Sequence, residues 1–430
     1  MSDRNGIQSW KTLLLALALL GPAACSDLLE VELPGQVRAE DLEQPRLAAV
    51  LARSVQGDFD CALSAYTWGG GLWANDLYQT DNFSRARLTQ LRSDEVLNFD
   101  QLECDQFTFP PIYLPFQIAR VQGEQAVELI TGFPADAVDD RDYLLGKTHA
   151  YTGYAYQILG ETMCELAFDG GSRVSRETAM RAAESQFSSA LQYVGSASSG
   201  EARSIRNLAL VGRARARLNL GESGGVLEDA SQVDRGFVRY ADLDSSNSRL
   251  YNRVFVYVNQ NQGNSTVHPN YRELEVGGMP DPRVPLTHLA DVQPFDGVSE
   301  LWAQNKYPNL GSDIPFASWR EAQLMIAEVS GGQTAVDIIN TLRASVSDLP
   351  FVDSAHPGLP AFASSDEAEI RAQVWEERRR ELFLQGTKIG DMLRLDIAGV
   401  DTDDFETGVN QRGNSYGPHT CYPLPDQEML

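Results

Sequence analysis

The side chains best suited to hold a small ligand are rings interleaved with amides and carboxylates. Trp68, Trp73 and Tyr78 lie close together in sequence, with Asn75, Asp76, Asp81 and Asn82 among them. A second, smaller group is Trp302, Asn305 and Tyr307. Aromatic faces stack on the C–H surfaces of sugars, while amides and carboxylates bond hydroxyls. The candidate binding residues are therefore Trp68, Trp73, Asn75, Tyr78, Asp81, Asn82, Trp302 and Asn305. The competing reading is that the rings are core. It is the simpler reading for Trp319 and Trp375, which fall in helical segments.

Covalent chemistry has no comparable set. Gly221-Glu222-Ser223-Gly224-Gly225 matches G-x-S-x-G by letters but lies between two helical stretches. A nucleophile elbow needs a strand-to-helix turn. His149, His268, His288, His356 and His419 show no ligand spacing, and neither H-E-x-x-H nor a phosphate-binding G-x-x-x-x-G-K-[ST] loop occurs. Asp401-x-Asp403 lacks the glycine that a calcium loop requires. A glycoside hydrolase needs two placed carboxylates, and no pair stands out among 60 acidic residues. No catalytic residue, metal or cofactor is expected.

Net charge is −25, which repels phosphate backbones and anionic lipid, so nucleic acid is excluded as a partner. The N-terminus has the anatomy of an export signal. Arg4 and Lys11 precede the apolar run Leu13–Leu20, then Gly21-Pro22-Ala23-Ala24 leads to Cys25. That run is shorter than the roughly 20 apolar residues a membrane span needs. Small residues before a cysteine are similar to a bacterial lipobox, with Pro22 where an aliphatic residue is usual. Acylation of Cys25 would anchor the chain, each buried methylene contributing about 0.8 kcal/mol. Four cysteines follow, Cys61, Cys104, Cys164 and Cys421, which permits up to two disulfides in any of three pairings.

The elements that must carry these residues are mainly helical. Apolar residues recur at three- and four-residue spacing over Asp142–Phe168, Arg176–Val194, Arg203–Leu220 and Val226–Val233. Leu210-x-Gly212-x-Ala214, followed by Leu218-x-Leu220-Gly221, is similar to half of a tetratricopeptide repeat, whose hairpins bury their faces only by stacking. Small residues at Gly153, Ala155, Gly160, Gly212, Ala214 and Ala216 allow close helix approach. Gly69-Gly70-Gly71 predicts a loop over the first aromatic group, and Arg253–Val258 alternates like a strand. Ser364-x-x-Glu367 predicts a capping box before a helix that runs to Glu381.

Three C-terminal segments resemble the SusD/RagB family. They are Asp281-Pro282-Arg283; then Lys306-Tyr307, Asp313-Ile314-Pro315, Arg320–Glu328 and Ile339-Asn340-x-x-Arg343; and Glu377-Arg378-x-x-Glu381-Leu382-x-x-Gln385-Gly386-x-Lys388-x-x-Asp391-x-x-Arg394. Gln385, Lys388 and Met392 depart from the family's usual Glu, Arg and Leu. Pro423-Leu424-Pro425-x-x-Glu428 and Cys25-Ser26-Asp27-Leu28-Leu29-Glu30 resemble its closing and opening segments. Glu377, Arg378, Glu381 and Arg394 are spaced for structural ion pairs, and within the resemblance the Lys306-Tyr307 step is scaffold.

The resemblance implies a mainly α fold of TPR-like helical hairpins with loop-rich, partly β insertions. It implies a signal at 1–24 and one domain over 25–430, with helices about 140–235 and 316–395 and ligand-facing loops about 61–115 and 236–315. It further implies an outer-membrane lipoprotein, anchored at Cys25, that binds a glycan or peptide and serves a SusC-like TonB-dependent transporter. The alternative is a helical-repeat scaffold of the envelope that binds no small ligand.

Overall fold

In the computed structural model, the described residues are 44–81, 84–95, 104, 111–260, 264–397 and 405–426. Cys25, the export signal, Asn82 and the Asp401–Asp403 pair lie outside them.

The frame is a run of helices, most of them stacked on a neighbour in the chain. They are α1 (Ala48–Trp73), α2 (Ser84–Gln90), α3 (Tyr113–Gly132), α4 (Arg141–Thr162), α5 (Arg176–Val194), α6 (Gly200–Asn219) and α7 (Ser223–Ala230). A second group is α8 (Trp319–Ser330), α9 (Gly332–Ala344), α10 (Glu367–Glu381) and α11 (Lys388–Ile397). The stacked helical hairpins expected from the spacing are present.

Small residues set the helix spacing. The Phe187 ring of α5 wedges between Gly153 of α4 and Gly212 of α6. A Cβ on either glycine would sit within 3 Å of that ring. Gly123 of α3 likewise faces Thr152 of α4. The core beneath is aromatic: Phe316 meets Tyr154 edge-on at 5.0 Å, and Phe59 packs on both Phe316 and Tyr151.

Strands are short and pair only in twos among the described residues. In chain order they are β1 (Leu77–Gln79), β2 (Glu165–Leu166), β3 (Val174–Ser175), β4 (Val238–Ala241), β5 (Ser265–Val267), β6 (Glu275–Val276), β7 (Met279–Pro280), β8 (Leu286–His288), β9 (Trp302–Gln304) and β10 (Ile314–Ser318). All five pairs are antiparallel: β1 with β5, β2 with β3, β4 with β10, β6 with β7 and β8 with β9.

Three sequence expectations are corrected. The triglycine does not open a loop. Helix α1 runs through Gly69–Gly71 to Trp73, with every residue from Phe59 to Trp73 buried. A backbone withdrawn from water must bond internally, and a helix does so at every position. That outweighs a glycine cost of about 1 kcal/mol per residue. The alternating run at 253–258 is not a strand. Phe255–Gln260 is a π-helical turn, with Val256, Tyr257 and Val258 all buried. Alternation predicts a strand only where one face is wet. Last, α10 is capped by Asp366, whose carboxylate accepts from the Ala368 and Glu369 amides, while Ser364 bonds Glu369 instead.

The charged C-terminal motifs form a buried lattice. Arg283 is held by Asp281 at 2.7 Å and by Glu377. Glu377 also takes Arg343 at 2.5 Å. Arg320 bonds Glu381, Arg378 bonds Asp391 at 2.7 Å, and Arg394 bonds Glu328. The Lys306 amine donates to the Phe383 carbonyl at 2.8 Å and the Tyr307 hydroxyl to that of Leu384 at 2.7 Å. Both clamp the turn from α10 to α11, where Leu384 and Gly386 take positive φ.

Two disulfides close the frame, Cys61–Cys104 and Cys164–Cys421. The second ties the end of the α4 segment to the C-terminal stretch, where the amide of Cys164 also donates to the Tyr422 carbonyl.

Candidate ligand-binding site

The first aromatic group does not form a surface. Trp68 is 1% exposed and stacks on Tyr257 with centroids 3.7 Å apart. Its indole N–H donates to Ser265 Oγ. Trp73 is fully buried, donates to the Thr420 carbonyl at 2.9 Å and packs on Tyr422. Asn75 is buried in the left-handed turn that ends α1. Asp81 is buried and accepts from Asn264 at 2.7 Å and from Gln79. These four side chains support a site from beneath rather than face one.

Tyr78 and the second group lie higher. Strand β1 pairs with β5 so that Tyr78 opposes Thr266. Thr266 Oγ1 in turn accepts from the Trp302 amide at 2.7 Å. This places β1, β5 and β9 side by side. Trp302 is half-buried, and its ring stacks on His288 at 4.6 Å. Asn305 is exposed and donates to Thr287 Oγ1 at 2.9 Å. Tyr307 is core, as its place in the scaffold step implies.

Beside these strands opens a cavity of about 320 Å³, lined by Tyr78, His268, Glu406, Asn410, Gln411 and Tyr416. Its outer wall is a hairpin over 408–416. The Asn410 amide donates to Asn414 O at 2.9 Å and the Tyr416 amide to Gly408 O at 3.0 Å. Gly408 and Gly413 both take positive φ there, which glycine allows without strain. The hairpin is pinned at three points: the Gly417 amide to Leu91 O at 2.7 Å, Arg412 to Asp81 O at 3.0 Å, and Gln411 to Ser299 Oγ at 2.6 Å.

Within the cavity the His268 Nδ1 accepts from the Asn270 amide, which leaves Nε2–H to donate to Glu406 at 3.3 Å. The Tyr416 hydroxyl donates to the same carboxylate. Burial pushes the Glu406 carboxyl up. Hydrogen bonds from His268 and Tyr416, with the charge of Arg92, outweigh this and hold it below the usual range. The phenols of Tyr416 and Tyr78 are both raised, chiefly by burial. Val409, which lines the cavity, is 63% exposed, as are Phe295 at 63% and Val298 at 60% in the segment that holds Ser299, the partner of Gln411. Rings, amides and one ionised acceptor can bind a polyhydroxyl ligand. No group of His, Cys, Asp and Glu among the described residues could hold a metal.

The hairpin residues were not singled out from the sequence, although Asn410–Tyr416 is a polar, glycine-punctuated run that ends in a ring. Its neighbours in space, Tyr78 and His268, are far away along the chain.

No described helix is long and apolar enough to cross a membrane. No family model matches the chain, and no curated protein matches its sequence. Solved structures do match. A SusD superfamily protein from Bacteroides vulgatus aligns with TM-score 0.62 at 11% identity, covering 89% of this chain and 96% of that one. A SusD/RagB family protein from Bacteroides thetaiotaomicron gives 0.62 at 13%, covering 88% and 93%. Surface glycan-binding protein A from Bacteroides fluxus gives 0.60 at 12%, covering 88% and 95%. The fold is therefore that of the SusD/RagB proteins, with its TPR-like helices.

Proposed function

From this SusD-like fold, we propose that the chain is an outer-membrane lipoprotein, anchored through Cys25, that binds a glycan and passes it to a SusC-like TonB-dependent transporter. The observation that carries the reading is the 320 Å³ cavity, where rings, amides and the Glu406 carboxylate converge under an apolar rim. A glycan-binding protein among the structural neighbours supports it. So does an N-terminus of lipoprotein type ending at Cys25. Of the sequence-derived residues, Tyr78, Trp302 and Asn305 belong to the binding face; Trp68, Trp73, Asn75 and Asp81 underlie it. The protein performs no covalent step. A tethered binder acts by raising the ligand concentration at the transporter mouth.

The burial of Trp68 and Trp73 favours one second reading, a helical-repeat scaffold that assembles other envelope proteins. Two measurements separate them. A glycan array with the mature protein gives binding under the first reading and silence under the second. A mild-detergent pull-down from native outer membranes gives a large TonB-dependent barrel in near-stoichiometric amount under the first. Under the second it gives only periplasmic partners.

A further inference from the structure

We infer that the ligand of this cavity is a neutral glycan, and that the protein discriminates against the uronate and sulfate-bearing forms of the same chain. The inference rests on the binding function just proposed.

An acidic sugar is held by a cation with free N–H groups, usually a forked guanidinium. Among the described residues, Arg412, Arg272 and Arg92 come near the cavity, and each already has partners. Arg412 donates to the carbonyls of Thr80 and Asp81 at 3.3 and 3.0 Å. Arg272 donates to Val267 O at 3.0 Å and Glu300 O at 3.1 Å, and pairs with the Glu300 carboxylate at 3.3 Å. Arg92 is 1% exposed, lies over the Phe405 and Tyr416 rings, and bonds the Glu406 carbonyl. The N–H groups it leaves unbonded are closed off from solvent, so an incoming anion does not reach them.

Carboxylates lie at the cavity and beside it. Glu406 lines the cavity, and its carboxylate is ionised with its donors already supplied by His268 and Tyr416. The Glu300 side chain is 65% exposed beside Trp302, with Arg272 paired to it on one side. Asp296 sits between the exposed Phe295 and Val298, its carboxylate fixed by Ser299. A sugar carboxylate or sulfate at this mouth thus meets like charge with no free cation among the described residues, against a chain of net charge −25. A neutral ring meets apolar surface and hydrogen-bonding groups with no such cost.

The test uses polysaccharide pairs that share a backbone, such as dextran with dextran sulfate, or methyl-esterified with de-esterified homogalacturonan. Affinity electrophoresis or an array is run with the mature, disulfide-bonded protein. The neutral member of at least one pair is expected to bind. Its acidic counterpart should bind about tenfold or more weaker at ~50 mM salt, with the gap narrowing near ~0.5 M as the repulsion is screened. Glu300→Gln should narrow the same gap at low salt. Equal or tighter binding of an acidic member overturns the inference while the glycan-binding function stands. Silence across every pair and the wider array overturns the binding function, and the inference with it.

Discussion

Glu406 and Tyr416 show at the level of single residues how a site can look inconspicuous in sequence yet be built in space. Because Tyr416 both lines the cavity and donates to Glu406, Tyr416→Ala should weaken glycan binding at least about tenfold. The lost ring surface, with Glu406 left without the donor that orients it, is expected to cost ~1.4 kcal/mol or more. Titration calorimetry on folded variant and parent reads this directly. A different residue contributes to the pH response. Burial pushes the Glu161 carboxyl up to about 7, Arg215 only partly offsetting it, while its unfolded value is 4.5. A raised folded value means that its contribution is fully present below pH 4.5 and lost as pH rises through about 7. Glu161→Gln should therefore flatten the fall in stability between those limits, by on the order of 3 kcal/mol at most. Denaturant titrations at pH 5 and pH 8 check it; an unchanged slope rejects it. Glu377 offers the opposite case. It accepts from both Arg283 and Arg343, all three being buried, so Glu377→Ala strands the Arg343 cation and leaves Arg283 with Asp281 as its close partner. The expected loss is ~3–5 kcal/mol in chemical unfolding.

At the scale of elements, glycine has two unrelated jobs in this chain. At Gly212 a Cβ would lie 2.3 Å from the Phe187 ring, so the residue sets the spacing of α5 and α6. At Gly224, inside α7, a Cβ meets nothing. Gly212→Ala should destabilise by ~1–3 kcal/mol through overpacking, despite its better helix propensity. Gly224→Ala should be neutral or stabilising by up to ~1 kcal/mol. Thermal melts of the two variants side by side decide this. The same contrast explains what could be read beforehand. Gly153, Gly160 and Gly212 fall inside strong 3.6-residue periods, so their packing role was legible. Gly69–Gly71 fall beside a cluster of polar residues, and only the burial of α1 on all sides keeps that stretch helical.

For the molecule as a whole, long-range ties decide where the site is. The hairpin that walls the cavity belongs to a C-terminal stretch that is bound to the α4 segment by Cys164–Cys421, across 257 residues of sequence. Replacing both cysteines by alanine should cost ~2–4 kcal/mol of stability and weaken ligand binding, because the tether of the hairpin wall is lost. Unfolding and binding measured together test it; full stability with full affinity would reject it. The sequence by itself determined the helical class, the order of the hairpins, the resemblance of the C-terminal motifs and the negative net charge. These depend on local period, composition and spacing. Only the tertiary structure decided which cysteines pair, that Trp68 and Trp73 are core, and that Tyr78, His268 and Tyr416 share one cavity. The physical reason is that burial and pairing are set by contacts between distant segments, whereas periodicity along a chain reports only the geometry of each segment alone.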